Sequence, residues 1–283
     1  MNSAFVKGIG LMLVLITGML VIVWVTRRKV RGDCPVEKKK RGWFYFLKLV
    51  AFTALSLIIV VFSTTVFVSY MSALEDMRPG PSQVDIPPNL PFTVEEVTFP
   101  GGDGLRMAGW YVPPQNGATV ILLHGYGKTR TAMLWHAEVL VQAGYGVLMY
   151  DERASGESEG DHRSYGWEDP ADVSGALDYL DGLPRTEPNK IGIAGCSLGG
   201  QIALQGAVKY PQIAAVWADG PSGVTTSDMK LPPGWFSLLV TPTNHVVDWL
   251  TALKLGIKIP PALIDTIGTI EPRPVMLVAG GRP

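Results

Sequence analysis

The chain has 283 residues, 47% of them apolar and only 17% charged, with a mean hydropathy of +0.21. That composition excludes an intrinsically disordered protein, and two cysteines exclude a disulfide scaffold or a cysteine-based zinc module. The net charge of −1 conceals a division: residues 1–74 carry ten Lys/Arg against two Asp/Glu (net +8), and the rest fourteen against twenty-three (net −9). An acidic larger part argues against nucleic acid as its partner.

Residues 8–26 are nineteen uncharged positions dense in Leu, Ile, Val and Met, and residues 49–74 are twenty-six more. Each is long enough to cross a hydrocarbon core of about 30 Å as a helix, which predicts spans over about 8–26 and 49–72. Trp43, Phe44, Tyr45 and Phe46 precede the second stretch as an interfacial aromatic belt would, and Lys48 can snorkel. Only Lys7 precedes the first stretch, a poor start for a cleaved signal peptide. Between the two lie Arg27, Arg28, Lys29, Arg31, Lys38, Lys39, Lys40 and Arg41. A short basic loop is retained on the cytoplasmic side and attracts anionic headgroups. The expectation is a two-helix transmembrane hairpin over 1–74, with the lipid bilayer as partner. It places the remainder on the extracytoplasmic side of the cell membrane. Residues 75–92 then form a stiff linker, with five prolines between 78 and 91.

From 93 to 283 short apolar runs alternate with helical spacings. Residues 94–99 and 105–112 read as a hairpin across Gly101-Gly102-Asp103-Gly104. Residues 119–123 form a compact apolar strand that ends in His124-Gly125-Tyr126-Gly127. A helix over 131–143, a strand over 146–150 and a helix over 168–182 follow. Then come a strand over 190–194, a helix over 198–209 that Pro211 ends, and a strand over 213–218. A cap-like insert of about 220–272, with Trp235, Phe236 and Trp249 as apolar lining, precedes a last strand over 274–279. This alternation predicts an α/β class with a doubly wound, mostly parallel sheet.

The pattern G-x-S-x-G occurs twice, at Gly156–Gly160 around Ser158 and at Gly195–Gly199 around Ser197. A nucleophile elbow needs a strand, a strained turn and a helix that starts at once. Ser197 has both flanks. Ser158 lies among acids with no strand feeding it, and reads as a solvated loop residue.

These residues resemble the α/β-hydrolase superfamily, in its branch of serine esterases and peptidases. Leu122-Leu123-His124-Gly125-Tyr126-Gly127 is similar to the oxyanion turn, Asp151–Ser158 to the D-x-R-G-x-G-x-S loop with Ala154 in place of glycine, and Gly195–Gly199 to the elbow. The resemblance implies acyl transfer to Ser197 from a small-molecule ester, thioester or amide, then hydrolysis by water. It further implies an oxyanion hole from the backbone N–H groups of Tyr126 and Leu198; the sequence shows no metal cluster, phosphate loop or dinucleotide fingerprint, so no cofactor or metal is expected. His124 is expected to be a turn residue, and Asp219 stands where some members keep their acid, although capping of the strand end is its other role.

By the same resemblance the acid follows the strand over 274–279 and the histidine comes later still. None of His124, His136, His162 and His245 stands in that place, with His136 expected to be solvated on its helix. Two readings stay open: a hydrolase whose C-terminal part is missing here, or a hydrolase-like binding or scaffold protein without turnover.

Overall fold

The computed structural model describes residues 36–187, 189–230, 233–234 and 237–279. These residues divide into two compact units. The first contains most of helix α1 (Val36–Asp76) and of helix α5 (Ser237–Leu255). The stretch Trp43–Asp76 is long and apolar enough to cross a membrane, with a mean hydropathy of 2.4 and no buried part. The hydroxyls of Thr53, Ser56 and Thr65 donate back to the carbonyls of Val50, Phe52 and Val61. Such back-bonding pairs these three hydroxyls within the helix, as an apolar medium requires.

Among the described residues this is the one helix of that kind, and it coincides with the second span of the expected two-helix hairpin. The expected first span, residues 8–26, lies outside the described residues, as do Arg27, Arg28, Lys29 and Arg31. Lys38, Lys39, Lys40 and Arg41, expected in a loop, belong instead to the start of α1. Lys and Arg are good helix formers and nothing between Val36 and Asp76 stops the helix except Gly42, whose cost is small against that length.

The second unit, from Asp76 to residue 230 and again from Leu255, carries the sheet. Its strands are β2 (Glu95–Pro100), β3 (Arg106–Val112), β4 (Thr119–Leu123), β5 (Gly146–Tyr150), β7 (Ile191–Cys196), β8 (Ile213–Asp219) and β9 (Val275–Val278). They lie in the order β2-β3-β5-β4-β7-β8-β9. The β2–β3 and β3–β5 pairs are antiparallel and the other four parallel. Helix α2 (Leu134–Gln142), entered through a 3-10 turn at Arg130–Met133, packs with Trp110, Leu122, Val147 and Met149 on one face. Helices α3 (Pro170–Asp181) and α4 (Leu198–Lys209) pack with Tyr111, Ile121, Leu148 and Ile193 on the other. Strands covered on both faces read as continuous apolar runs, and that is how 119–123 and 146–150 appear in the sequence.

Two shorter elements matter for the site. Strand β1 (Gly80–Pro81) pairs in parallel with β6 (Ser155–Gly156), so part of the expected linker is bound to the loop after β5. Beyond β8 the chain forms a one-turn helix, α6 (Leu263–Thr266), before β9. In an open sheet of this kind ligands bind where the strand order reverses, outside the carboxyl ends of the strands. Here that point lies at the ends of β4 and β7.

Candidate active site

The ends of β4 and β7 carry the two motifs singled out in the sequence. Ser197 stands between β7 and α4 with φ 54° and ψ −117°, an L-residue in the left-handed half of backbone space. Such a conformation costs of order 1–3 kcal/mol and persists only when its surroundings fix it. Three main-chain hydrogen bonds do so. The Ser197 N–H donates to the Asp219 carbonyl at 2.7 Å, and its own carbonyl accepts from Gln201 and Ser222. The side chain is exposed while Leu198 behind it is buried.

The flanking glycines are required by contact. A Cβ on Gly195 would lie 2.3 Å from the carbonyl of Gly199, and one on Gly199 would lie 2.3 Å from the Leu123 oxygen and 2.5 Å from that of His124. The start of α4 is thus pressed against the end of β4. A Cβ on Gly125 would lie 3.4 Å from the Cβ of Ser197, which puts the His124–Gly127 turn beside the serine. Leu198 opens α4, so its N–H has no acceptor within the helix, and the positive end of the helix dipole faces the same place. Tyr126 follows in the turn, 38% exposed.

His124 has no exposed surface. Its Nε2 accepts from the Glu152 N–H at 3.0 Å, so Nδ1 carries the proton and donates to the Gly125 carbonyl at 2.9 Å. Burial lowers its pKa. Both ring nitrogens are used to tie the turn after β4 to the end of β5.

The loop after β5 is a buried ionic frame. Asp151 accepts from the Arg130 N–H at 2.7 Å and from the Glu157 N–H at 3.0 Å, and it pairs with the Arg130 guanidinium, which lies over the Trp110 ring. Arg153 makes a two-pronged contact with Asp172 at 2.8 Å on each arm. Burial nonetheless pushes Asp172 up to about 6. Ala154, at the position where the resemblance has glycine, adopts φ 56°. Glu152 is buried with Oε1 unpartnered among the described residues, and burial together with Asp169 and Asp172 raises its pKa well above the carboxylate range.

Two expectations are corrected here. Ser158 is buried, not solvated: it donates to the Asp151 carbonyl at 2.6 Å and accepts from the Ala108 N–H at 2.9 Å. His136 on α2 is half-buried, not fully solvated. Its ring lies 5.0 Å from that of Trp217, its Nε2 is 4.0 Å from the Cys196 sulfur, and burial lowers its pKa against the pull of Asp219. His162 sits between Asp161 and Glu168, 2.6 Å from the latter. His245 lies on α5, in the other unit. Asp219 ends β8 opposite Cys196 on one side and Val278 on the other, so its main chain adjoins the elbow. Trp235 and Phe236 lie outside the described residues, and Trp249 is 56% exposed on α5.

Sequence reasoning missed the ring pair next to the turn. Tyr126 stacks on Tyr165 at 5.8 Å with 12° between planes, and the Arg163 guanidinium covers Tyr126 at 5.3 Å. Tyr165 has φ 54°, and its carbonyl accepts from Gln201 of α4. A loop position without periodic neighbours gives no signal in sequence.

The family model for serine aminopeptidases, S33, matches residues 114–264. Over 189 residues the chain is 28% identical to a thiohydrolase of Aspergillus aculeatus, covering 65% of this chain and 58% of that one. It is 32% identical over 197 residues to a quorum-quenching protein of Acinetobacter baumannii, covering 67% and 58%. The chain therefore spans less than two thirds of the length of these relatives. Its structure is similar to that of an esterase of Pyrococcus furiosus, with a TM-score of 0.52 and 27% identity over 71% of this chain and 76% of that one.

Proposed function

Because the chain belongs to the serine aminopeptidase S33 family of α/β-hydrolases, we propose that it is a membrane-anchored serine hydrolase that cleaves a carboxylic ester or thioester. The observation that carries this reading is Ser197, exposed on a positive-φ turn between β7 and α4 with the His124–Gly127 turn beside it. Ser197 Oγ attacks the acyl carbon, its proton passes to a base, and the alcohol or thiol leaves. Water then releases the acid. The Leu198 and Tyr126 N–H groups hold the oxyanion, each such donor being worth about 3–4 kcal/mol of barrier in comparable sites. Gly125, Gly195 and Gly199 permit the close packing on which that geometry depends. The names of an esterase and a thiohydrolase among the similar proteins support the choice of bond.

The anchor is α1, and the basic residues before and at its start support a cytoplasmic side at that end, with the hydrolase unit outside. The mechanism needs a base, and both ring nitrogens of His124 and of His162 are engaged by other partners, whereas Nδ1 of His136 has none among the described residues.

Fluorophosphonate labelling of the protein in its native membranes, with Ser197→Ala as control, tests the reading. Labelling that disappears in the variant supports it, and the mass of the band against 30.6 kDa shows whether the labelled species is this chain alone. A full-length chain that takes no label is a hydrolase fold that binds without turnover.

A further inference from the structure

The chain that follows α1 is fastened to the candidate site itself. Tyr126 Oη donates to the carbonyl of Asp76 at 2.6 Å. The Arg163 N–H donates to the Met77 carbonyl at 2.8 Å, and Met77 is buried. Gly80 N–H then donates to Ala154 and Ser82 N–H to Gly156, each at 2.8 Å, around the β1–β6 pairing. Arg130 Nη2 reaches the Val84 carbonyl at 3.3 Å. A Cβ on Gly80 would lie 2.0 Å from Nη2 of Arg163, the same guanidinium that covers Tyr126. Residues 76–84 are thus laid along the loop after β5 and joined at their start to the turn that flanks Ser197.

Asp76 is the second residue after the uncharged run 49–74. An apolar span ends where the headgroups begin, and consecutive Cα atoms are about 3.8 Å apart, so two residues carry the chain no more than about 8 Å further. Whatever direction α1 takes, the peptide carbonyl that accepts from Tyr126 lies at headgroup depth. The Tyr126–Tyr165 pair has the amphipathic character of side chains that collect at that depth. A water-soluble substrate gains nothing from such an arrangement. A substrate confined to the bilayer gains a high local concentration at the serine.

We propose that the Ser197 site opens at the membrane surface and takes an acyl ester or thioester whose own apolar chain keeps it in the bilayer. This rests on the serine-hydrolase reading and on α1 as anchor, both given above. The test uses the full chain in phosphatidylcholine vesicles, with dioleoylglycerol in the bilayer and p-nitrophenyl butyrate in the water. A twenty-residue Gly/Ser segment is inserted between Glu75 and Asp76, which leaves in place the hydrogen bonds of residues 76–84 to Tyr126, Arg163, Ala154, Gly156 and Arg130. Such a segment has a root-mean-square reach of about 25 Å.

The expected result is unchanged butyrate cleavage and at least a tenfold loss of dioleoylglycerol cleavage, both dependent on Ser197. Equal retention of the two activities in the insertion variant overturns the proposal and leaves the hydrolase reading intact. So does wild-type protein that cleaves butyrate and not dioleoylglycerol. No Ser197-dependent cleavage of either substrate removes the hydrolase reading, and wild-type protein that does not float with the vesicles removes the anchor; each takes the proposal with it.

Discussion

Gly199 lies so close to Leu123 that a Cβ on the glycine would stand 2.3 Å from the leucine carbonyl oxygen. The contact is with backbone at the end of β4, which cannot swing aside as a side chain would. It couples the start of α4 to the turn after β4, because any displacement of one moves the other.

Gly199→Ala is therefore expected to destabilise the hydrolase unit by about 1–3 kcal/mol, the usual cost of overpacking, and to lower fluorophosphonate labelling of Ser197 by more than tenfold. Thermal unfolding and gel labelling of the same preparation check both parts. Labelling at the wild-type rate would mean that the reactivity of Ser197 does not depend on this contact.

Ala154→Gly should act in the opposite direction. The left-handed conformation at φ 56° costs an L-residue roughly 1–2 kcal/mol, while glycine loses roughly 0.5–1 kcal/mol more backbone entropy on folding. A net gain of up to about 1 kcal/mol in unfolding free energy is expected, measured by chemical denaturation, with labelling of Ser197 unchanged.

The buried carboxyl of Glu152 gives a pH signature. Its folded-state pKa is raised by burial and by Asp169 and Asp172, so its contribution to stability is complete below the unfolded value and is lost as pH rises through the folded one. Glu152→Gln keeps the shape of the protonated group and does not titrate. The variant should match wild type near pH 4 and melt at a higher temperature at pH 8. A melting difference that is flat with pH would show that Glu152 is ionised in the folded protein.

Asp219→Asn separates the two roles open to that residue. Its main-chain carbonyl, which holds the Ser197 N–H at 2.7 Å, survives the substitution. Labelling within about threefold of wild type is expected if only the main chain matters. A loss of about 10²-fold or more, on the scale of a lost general acid–base contribution, would make the carboxylate the acid partner of the catalytic base.

The elements of the hydrolase unit were legible in the sequence because their cause is local. The runs 119–123 and 146–150 are apolar throughout since both faces are covered, and the glycines around Ser197 stand at fixed offsets from the strand. Burial of polar groups was not legible. Ser158 looks solvated among its glutamates, yet Ala108, some fifty residues earlier in the chain, supplies the amide that pairs with it. His136 owes its environment to Cys196 and Trp217, which arrive on strands far along the sequence. The Tyr126–Tyr165–Arg163 group is of the same kind: three loop residues with no periodicity, brought together by Asp76, Gly80 and Gln201. Lys38 to Arg41 were misplaced for the converse reason, since charge suggests a loop while backbone propensity continues the helix.

Cleavage by a protease needs chain that can be drawn out into its cleft, and exposed mobile segments are the usual targets. Residues 76–84 give little such chain, being pinned by main-chain hydrogen bonds at Asp76, Met77, Gly80 and Ser82. Shedding of the hydrolase unit at this stretch would first require those bonds to open. The released form would leave with the His124–Gly127 turn already loosened at Tyr126, so on the proposed reading the act of setting the protein free would also turn it down.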